Sequence, residues 1–274
     1  MTAPPWLTVT RGAAPLIVSL PHAGTDIPVQ YESRMMSGWR ARKDTDWWID
    51  RLYDFAPGLG ATLVRTAISR SVIDVNRDPS GVSLYPGHAT TGLCPTTTFD
   101  GEALYHDGGT PRAEDIASRR AAFFDPYHAA LVAEIARLRA THKHIVVYDC
   151  HSIRSAVPRL FEGELPHFNL GTNDGASCAQ ELAHRLMTLC TATGRQAVLN
   201  GRFKGGYITR SRGAPAQGVH AVQMELACRA YLREPPGLLG EANWPPSWDA
   251  AYAAPLAATL KQSLEACLAF ALEA

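Results

Sequence analysis

Charge of one sign is not in excess in this 274-residue chain: Lys+Arg and Asp+Glu both number 26. No global basic field exists to draw in nucleic acid or anionic lipid, so neither is an expected partner. A continuous apolar run of about 18 residues is also missing, which excludes a membrane-spanning helix. The six cysteines stand at 94, 150, 178, 190, 228 and 267 with no CxxC spacing. That pattern excludes a structural zinc cluster or a thioredoxin-like motif and leaves reduced, buried thiols as the expectation. The opening Met1-Thr-Ala-Pro-Pro-Trp6 has neither a charged nor an apolar leader segment. The expectation is therefore no signal peptide and a cytoplasmic location. Internal repeats, low-complexity linkers and charge blocks are absent too.

What is present is the make-up of a globular enzyme-sized domain, 46% apolar and 19% charged. Short apolar, β-branched runs recur at Leu16–Leu20, Ala61–Ala67, Val72–Val75, Ile145–Tyr148, Ala197–Asn200 and Val219–Leu226. Bounded by turn residues, they read as strands. Between them, helical spacing marks Asp46–Phe55, Ala113–Thr141 (kinked near Pro126), Ala176–Thr193 and Pro255–Leu272. Strands alternating with helices predict one α/β domain over 1–274, with a largely parallel, helix-covered sheet. The segment 78–112 breaks this pattern with Pro79-Ser-Gly81, Pro86-Gly87, Cys94-Pro95 and Gly108-Gly-Thr-Pro111. An irregular stretch of that length inside a compact domain is expected to wall or cover a site.

Two histidines each close one of these apolar runs: Pro15-Leu-Ile-Val-Ser-Leu-Pro-His22 and His144-Ile-Val-Val-Tyr-Asp-Cys-His151. Ligands collect at the carboxyl ends of strands in open α/β sheets, and imidazole is the commonest zinc ligand. Catalytic zinc commonly takes three protein ligands. Asp44-Thr-Asp46 offers the third, with Asp46 preferred and Asp44 either a rival ligand or a helix cap. Asp149 is read as orienting a ligand histidine or as capping a turn.

Three further constellations carry chemistry. In Ser69-Arg70-Ser-Val-Ile-Asp74-Val-Asn76-Arg77, strand alternation sets Val72, Asp74 and Asn76 on one face. Arg70 and Arg77 suit a planar carboxylate, or else an internal Arg–Asp network. In Val219–Leu226, Glu225 is a carboxylate in an apolar strand, costly unless paired or functional. Beside a metal it takes a proton from water and passes it to a leaving amine. In Gly201–Arg210, the glycine pair Gly205-Gly206 allows close backbone approach, with Lys204, Tyr207 and Arg210 in reach of a polar ligand. Alone, this last segment is a weak signal, since solvated turns look the same.

Taken together, the segments Ser19-Leu-Pro-His-Ala-Gly24, Asp44-Thr-Asp-Trp47, Ser69–Arg77, Leu84-Tyr-Pro-Gly87, Thr91-Gly-Leu-Cys-Pro95, Asp149-Cys-His-Ser152, Phe203-Lys-Gly-Gly-Tyr207 and Gln223-Met-Glu-Leu226 resemble the N-formylglutamate amidohydrolase family. That family is similar, more distantly, to zinc carboxypeptidases and aspartoacylase. The resemblance implies a zinc-carboxypeptidase-like (phosphorylase/hydrolase-like) fold: a mixed, mostly parallel sheet with helices on both faces. It implies His22 and His151 as ligands, Asn76-Arg77 as a carboxylate clamp, Glu225 as the catalytic glutamate, and zinc as cofactor. Manganese, iron and cobalt also suit such ligands. Two departures stand out. Threonine at 25 breaks the carboxypeptidase HxxE pattern, so the third ligand comes from elsewhere, and Trp48 replaces an expected histidine, which would reshape the pocket or the substrate preference.

The activity so implied is hydrolysis of the formamide of N-formyl-L-glutamate, a small dicarboxylate, to formate and glutamate, as in a route of histidine degradation. The alternatives are a zinc amidohydrolase for another N-acyl acidic amino acid or a peptidoglycan-type amide, and a non-catalytic carboxylate-binding protein of the same fold.

Overall fold

The computed structural model describes residues 4–84, 87 and 89–273. Tyr85 and Pro86 of the Leu84–Gly87 segment, and the first three residues of the N-terminal segment, lie outside the described residues. Seven strands form one mixed sheet: β1 Leu7–Thr10, β2 Leu16–Leu20, β3 Thr62–Thr66, β4 Ile145–Ile153, β5 Phe168–Gly171, β6 Ala197–Leu199 and β7 Val219–Ala227. Their spatial order is β1-β3-β2-β4-β7-β5-β6. Pairing is parallel except for β1 against β3 and β5 against β7. The expected mixed, mostly parallel α/β sheet is what forms.

Strand alternation divides the core between the two faces. Leu16, Val18, Val146, Tyr148, Val222 and Met224 pack on one side with helices Gln180–Ala192 and Ala250–Glu273. Ile17, Val64, Ile145, Val147, Val219 and Ala221 pack on the other with Tyr127, Leu131 and Leu138 of helix Asp125–Arg139. All six cysteines are free and buried. Among the described residues, no helix is long and apolar enough to cross a membrane.

Several expected elements take other forms. Strand β4 does not stop at Tyr148; it runs to Ile153 because β7 stays paired with it from Ile145↔Val219 to Ile153↔Ala227. His151 therefore sits inside the last turn of pleat rather than beyond it. Residues 72–75 are not a strand. Their backbone donors go to turns and loops instead of a ladder: Val72 to the Ser69 carbonyl, Asp74 to that of Leu93. The Asp74 carboxylate accepts the Asn76 N–H at 2.9 Å, an Asx-type turn that replaces the expected alternation. Within 46–55 only Ile49–Leu52 is α-helical. The long helical stretch breaks as expected near Pro126, where Ala113–Arg119 and Asp125–Arg139 are joined by a π-helical turn, Arg120–Phe124. A proline that lacks its N–H and crowds the carbonyl four residues back favours such a widened turn. Strands β1 and β5 escaped the sequence reading: each is only four residues long, and the middle of β5 is a buried asparagine.

Candidate metal centre and substrate pocket

Strands β2, β4 and β7 are parallel neighbours, so their carboxyl ends open on the same edge of the sheet. His22 follows β2, while His151 and Glu225 each lie two residues before the end of β4 and β7. Asp46 joins them from the turn after 38–42, its backbone N–H donated to the His22 carbonyl at 3.1 Å. His22 Nδ1 and His151 Nδ1 lie 3.1 Å apart. Asp46 Oδ2 is 3.3 Å from the His151 Nδ1 and 3.8 Å from the His22 Nδ1. All three residues are buried, and one ligand atom from each falls within 4.8 Å of the others.

Behind each imidazole stands a carboxylate. His22 Nε2 is 2.6 Å from Asp74 Oδ1, and His151 Nε2 is 2.9 Å from Asp149 Oδ2. His151 Nε2 also lies 2.8 Å from the Asn76 amide nitrogen. Where both Nδ1 atoms are unprotonated, they are acceptors that face each other and Asp46 Oδ2. Three such acceptors converging on one point suit a cation, and histidines backed by carboxylates are common among metal ligands. The donor set fits a divalent metal held by His22, Asp46 and His151.

The supports are themselves satisfied. Asp149 Oδ1 accepts the Ser19 hydroxyl at 2.9 Å, and Oδ2 also accepts the Asn76 amide at 3.1 Å. Asp74 is held by Arg70 at 2.9 Å, and Asp46 by Arg70 at 3.3 Å and by the Ser152 N–H at 3.0 Å. Burial and then the Arg70 charge push His22 below the ordinary imidazole range despite its contact with Asp74. Burial also opposes a charge on His151, but Asp149 and Asp46 outweigh it and hold that imidazole well above the ordinary range. Asp74, buried among His22, Arg77 and Arg70, stays well below the usual carboxylate range.

Glu225 lies directly across from His151 in the β4–β7 register, and Gln223 across from Asp149. Gln223 is oriented by the Gly206 N–H, which donates to its Oε1 at 2.7 Å; its Nε2 then donates to Glu225 Oε2 at 2.9 Å. Burial pushes the Glu225 carboxyl up to about 7, against the pull of His151 and Arg70, so it can exchange a proton near neutrality. Gly206 is pressed onto Asn76: a Cβ there would stand 2.3 Å from its amide nitrogen. Asn76 Oδ1 meanwhile accepts the Ile208 N–H at 2.8 Å. The Asn76 amide is thus engaged with Asp149 and helix Tyr207–Arg212.

A pocket lined by His22, His151 and Glu225 opens over this edge. Arg70, Asn76, Arg77 and Gly206 line it, as do Ala89–Thr91 and Phe99 from the irregular segment. Part of the irregular segment thus lines this pocket. Arg70 also stacks over Phe99 at 4.8 Å. Lys204, Tyr207 and Arg210 are not in the lining. Lys204 pairs with Asp174 at 3.1 Å, Arg210 donates to the Gly205 carbonyl, and Tyr207 packs on Phe124 and His128. The sequence reading missed Arg202, Phe203 and Leu160, which do line the pocket. Basic residues flanking paired glycines gave the right loop but the wrong cations.

Asp44 is apart from the cluster, accepting the Phe99 N–H at 2.6 Å and Arg154 at 3.2 Å. Trp48 is not among the residues that line the pocket. Its backbone takes the left-handed conformation (φ 62°), and its indole turns to donate to the Pro246 carbonyl at 2.9 Å.

Fold and site together define an α/β protein that gathers two histidines and a carboxylate beside a guanidinium-lined pocket. Residues 14–232 match the family model described as N-formylglutamate amidohydrolase, and the chain belongs to that family. It is 50% identical over 229 residues to the N-formylglutamate deformylase of Pseudomonas aeruginosa, covering 83% of this chain and 86% of that one. With the N-formylglutamate deformylase of Pseudomonas putida the identity is 45% over 268 residues, 97% of each chain. The crystal structure of N-formylglutamate amidohydrolase from Ralstonia eutropha JMP134 superposes with a TM-score of 0.74 at 25% identity, over 95% of this chain and 97% of that one.

Proposed function

We propose that this chain hydrolyses the formamide bond of N-formyl-L-glutamate to formate and L-glutamate, using a divalent metal, zinc foremost, at His22, Asp46 and His151. The observation that carries the chemistry is the convergence of three acceptor atoms, two of them carboxylate-backed, beside a buried glutamate. The names of the two Pseudomonas relatives support the substrate. A place in histidine degradation is what the motif resemblance implies.

When bound, the metal supplies Lewis acidity, which polarises a carbonyl and brings the pKa of water towards about 7. Glu225 does the proton work. Its Oε2 is held by Gln223, so Oε1 takes the proton of the attacking water and returns it to the departing amide nitrogen. Water's oxygen bonds to the formyl carbon, the C–N bond breaks, and formate and a free amine leave. Arg70, anchored on Asp46 and Asp74, presents positive charge to the oxyanion that develops between these steps. Asn76 keeps Asp149, and through it His151, in orientation, while Arg77 meets a substrate carboxylate.

The test is formate release from N-formyl-L-glutamate by metal-loaded protein, beside N-acetyl- and peptidyl-glutamate. Turnover of the formyl substrate, lost in Glu225→Gln, is expected. A larger acyl group preferred over formyl, or Glu225→Gln matching wild type, contradicts the reading.

A further inference from the structure

We propose that Tyr231 is a positioning residue for the metal centre: its hydroxyl ties the turn that carries Asp46 to the strand that carries His151. The inference rests on His22, Asp46 and His151 being the metal site of the proposed function. Tyr231 lies just beyond β7, after the short helical turn Cys228–Ala230, and is fully buried. Its Oη stands 2.7 Å from the Trp47 carbonyl oxygen and 2.7 Å from Ser152 Oγ. Trp47 follows Asp46 in the chain, and Ser152 follows His151. One phenol therefore bridges the residues next to two of the three ligands.

A phenol has one hydrogen and a carbonyl only accepts, which fixes the direction of the bonds. Tyr231 donates to the Trp47 carbonyl, and the Ser152 hydroxyl donates to Tyr231. The Ser152 backbone closes the ring, its N–H donating to Asp46 Oδ2 at 3.0 Å. That oxygen is the one facing both imidazole Nδ1 atoms. The turn needs such an anchor. Trp48, the next residue, takes the left-handed backbone conformation that a bulky side chain rarely adopts, and such strain persists only where the surroundings hold it. The backbone N–H groups of Asp46 and Trp47 bond to the His22 and Thr45 carbonyls, and neither reaches β4.

The experiment measures zinc affinity, by competition with a chromophoric chelator, in wild type, Tyr231→Phe and Tyr252→Phe. Tyr231→Phe deletes one oxygen and should weaken zinc binding about 10-fold or more, as losing a support of a metal ligand does. Tyr252→Phe is the control. Its hydroxyl also donates to a carbonyl, that of Arg229 at 2.8 Å, which neighbours no ligand in the chain. This variant should bind zinc as wild type does, even where its melting temperature falls. Equal affinity in Tyr231→Phe and wild type, or an equal loss in Tyr252→Phe, overturns the assignment. Ser152→Ala breaks the other end of the bridge. If Tyr231→Phe fails to fold, weaker zinc binding in Ser152→Ala upholds the assignment and wild-type affinity overturns it. A wild type that takes up no zinc contradicts the metal site itself, and amide exchange then decides for Tyr231. Faster exchange at Asp46 and Ser152 in Tyr231→Phe keeps the tether, and unchanged exchange overturns it.

Discussion

His151 and Glu225 sit directly opposite one another on the paired strands β4 and β7. The proposed metal ligand and the proposed proton carrier are thereby fixed side by side by backbone pairing, with no loop between them. One step back along the same strands, Asp149 and Gln223 form the next cross-strand pair and support the first. The proposed reaction centre is a two-by-two patch of sheet.

Gln223 holds Glu225 in place, and its own amide is oriented by the Gly206 N–H. Gln223→Leu should cut kcat about 10-fold or more while bound metal stays stoichiometric, because no ligand is touched. Steady-state kinetics with elemental analysis on the same samples checks both halves. Loss of metal in Gln223→Leu would refute the positioning role.

Asp46 and Asp44 should separate cleanly on substitution. Asp46→Asn is expected to lose metal on dialysis, since Asp46 Oδ2 faces both Nδ1 atoms. Asp44→Asn should keep its metal yet unfold more easily, by about 1 kcal/mol, because Arg154 loses one of its two carboxylate partners and keeps Asp100. Metal content and denaturant titrations of the two variants give the comparison.

Gly206→Ala should be damaging even though alanine is only one methyl larger. The new Cβ meets the Asn76 amide at 2.3 Å, and Asn76 cannot simply yield because Ile208 N–H holds its oxygen. We expect about 1–3 kcal/mol of lost stability and a 10-fold or greater fall in activity, roughly as for other supports of metal ligands. A variant with wild-type melting and turnover would show that this contact is slack.

Acid should destabilise the fold partly through His128. Burial and then the Arg212 charge push this imidazole down from 6.5 to about 4. Above pH 6.5 the folded and unfolded chains are both neutral there, so His128 contributes no pH dependence. As pH falls from 6.5 towards about 4, the unfolded chain takes a proton that the folded chain refuses, and stability drops. Below that window the loss is complete. Urea titrations at several pH values should therefore give a shallower acid slope for His128→Gln than for wild type; parallel slopes would count against the assignment.

The sheet was largely legible because its central strands are long enough to write their apolar runs into the sequence. The short strands β1 and β5 were not, since four residues at or near an edge carry almost no periodic signal. The π-helical turn before Pro126 was foreshadowed by proline chemistry alone. At the site, His22, Asp46, His151 and Glu225 could be picked out as polar residues closing or interrupting apolar segments, and the structure gathers all four. What could not be read was partnership across loops. Asp74 appeared as a strand residue orienting an arginine, whereas an Asx turn aims it at His22 as well. Arg202 and Lys204 are two residues apart in a glycine-rich loop, and only the path of that loop decides which one faces the pocket.

The central claim is that His22, Asp46 and His151 form a metal site through Nδ1, Oδ2 and Nδ1. An anomalous difference map from crystals of zinc-loaded protein tests it most directly. We predict a single strong peak within about 2.0–2.2 Å of those three atoms. A peak coordinated by Asp44, or none between the two histidines at full zinc occupancy elsewhere, would contradict it.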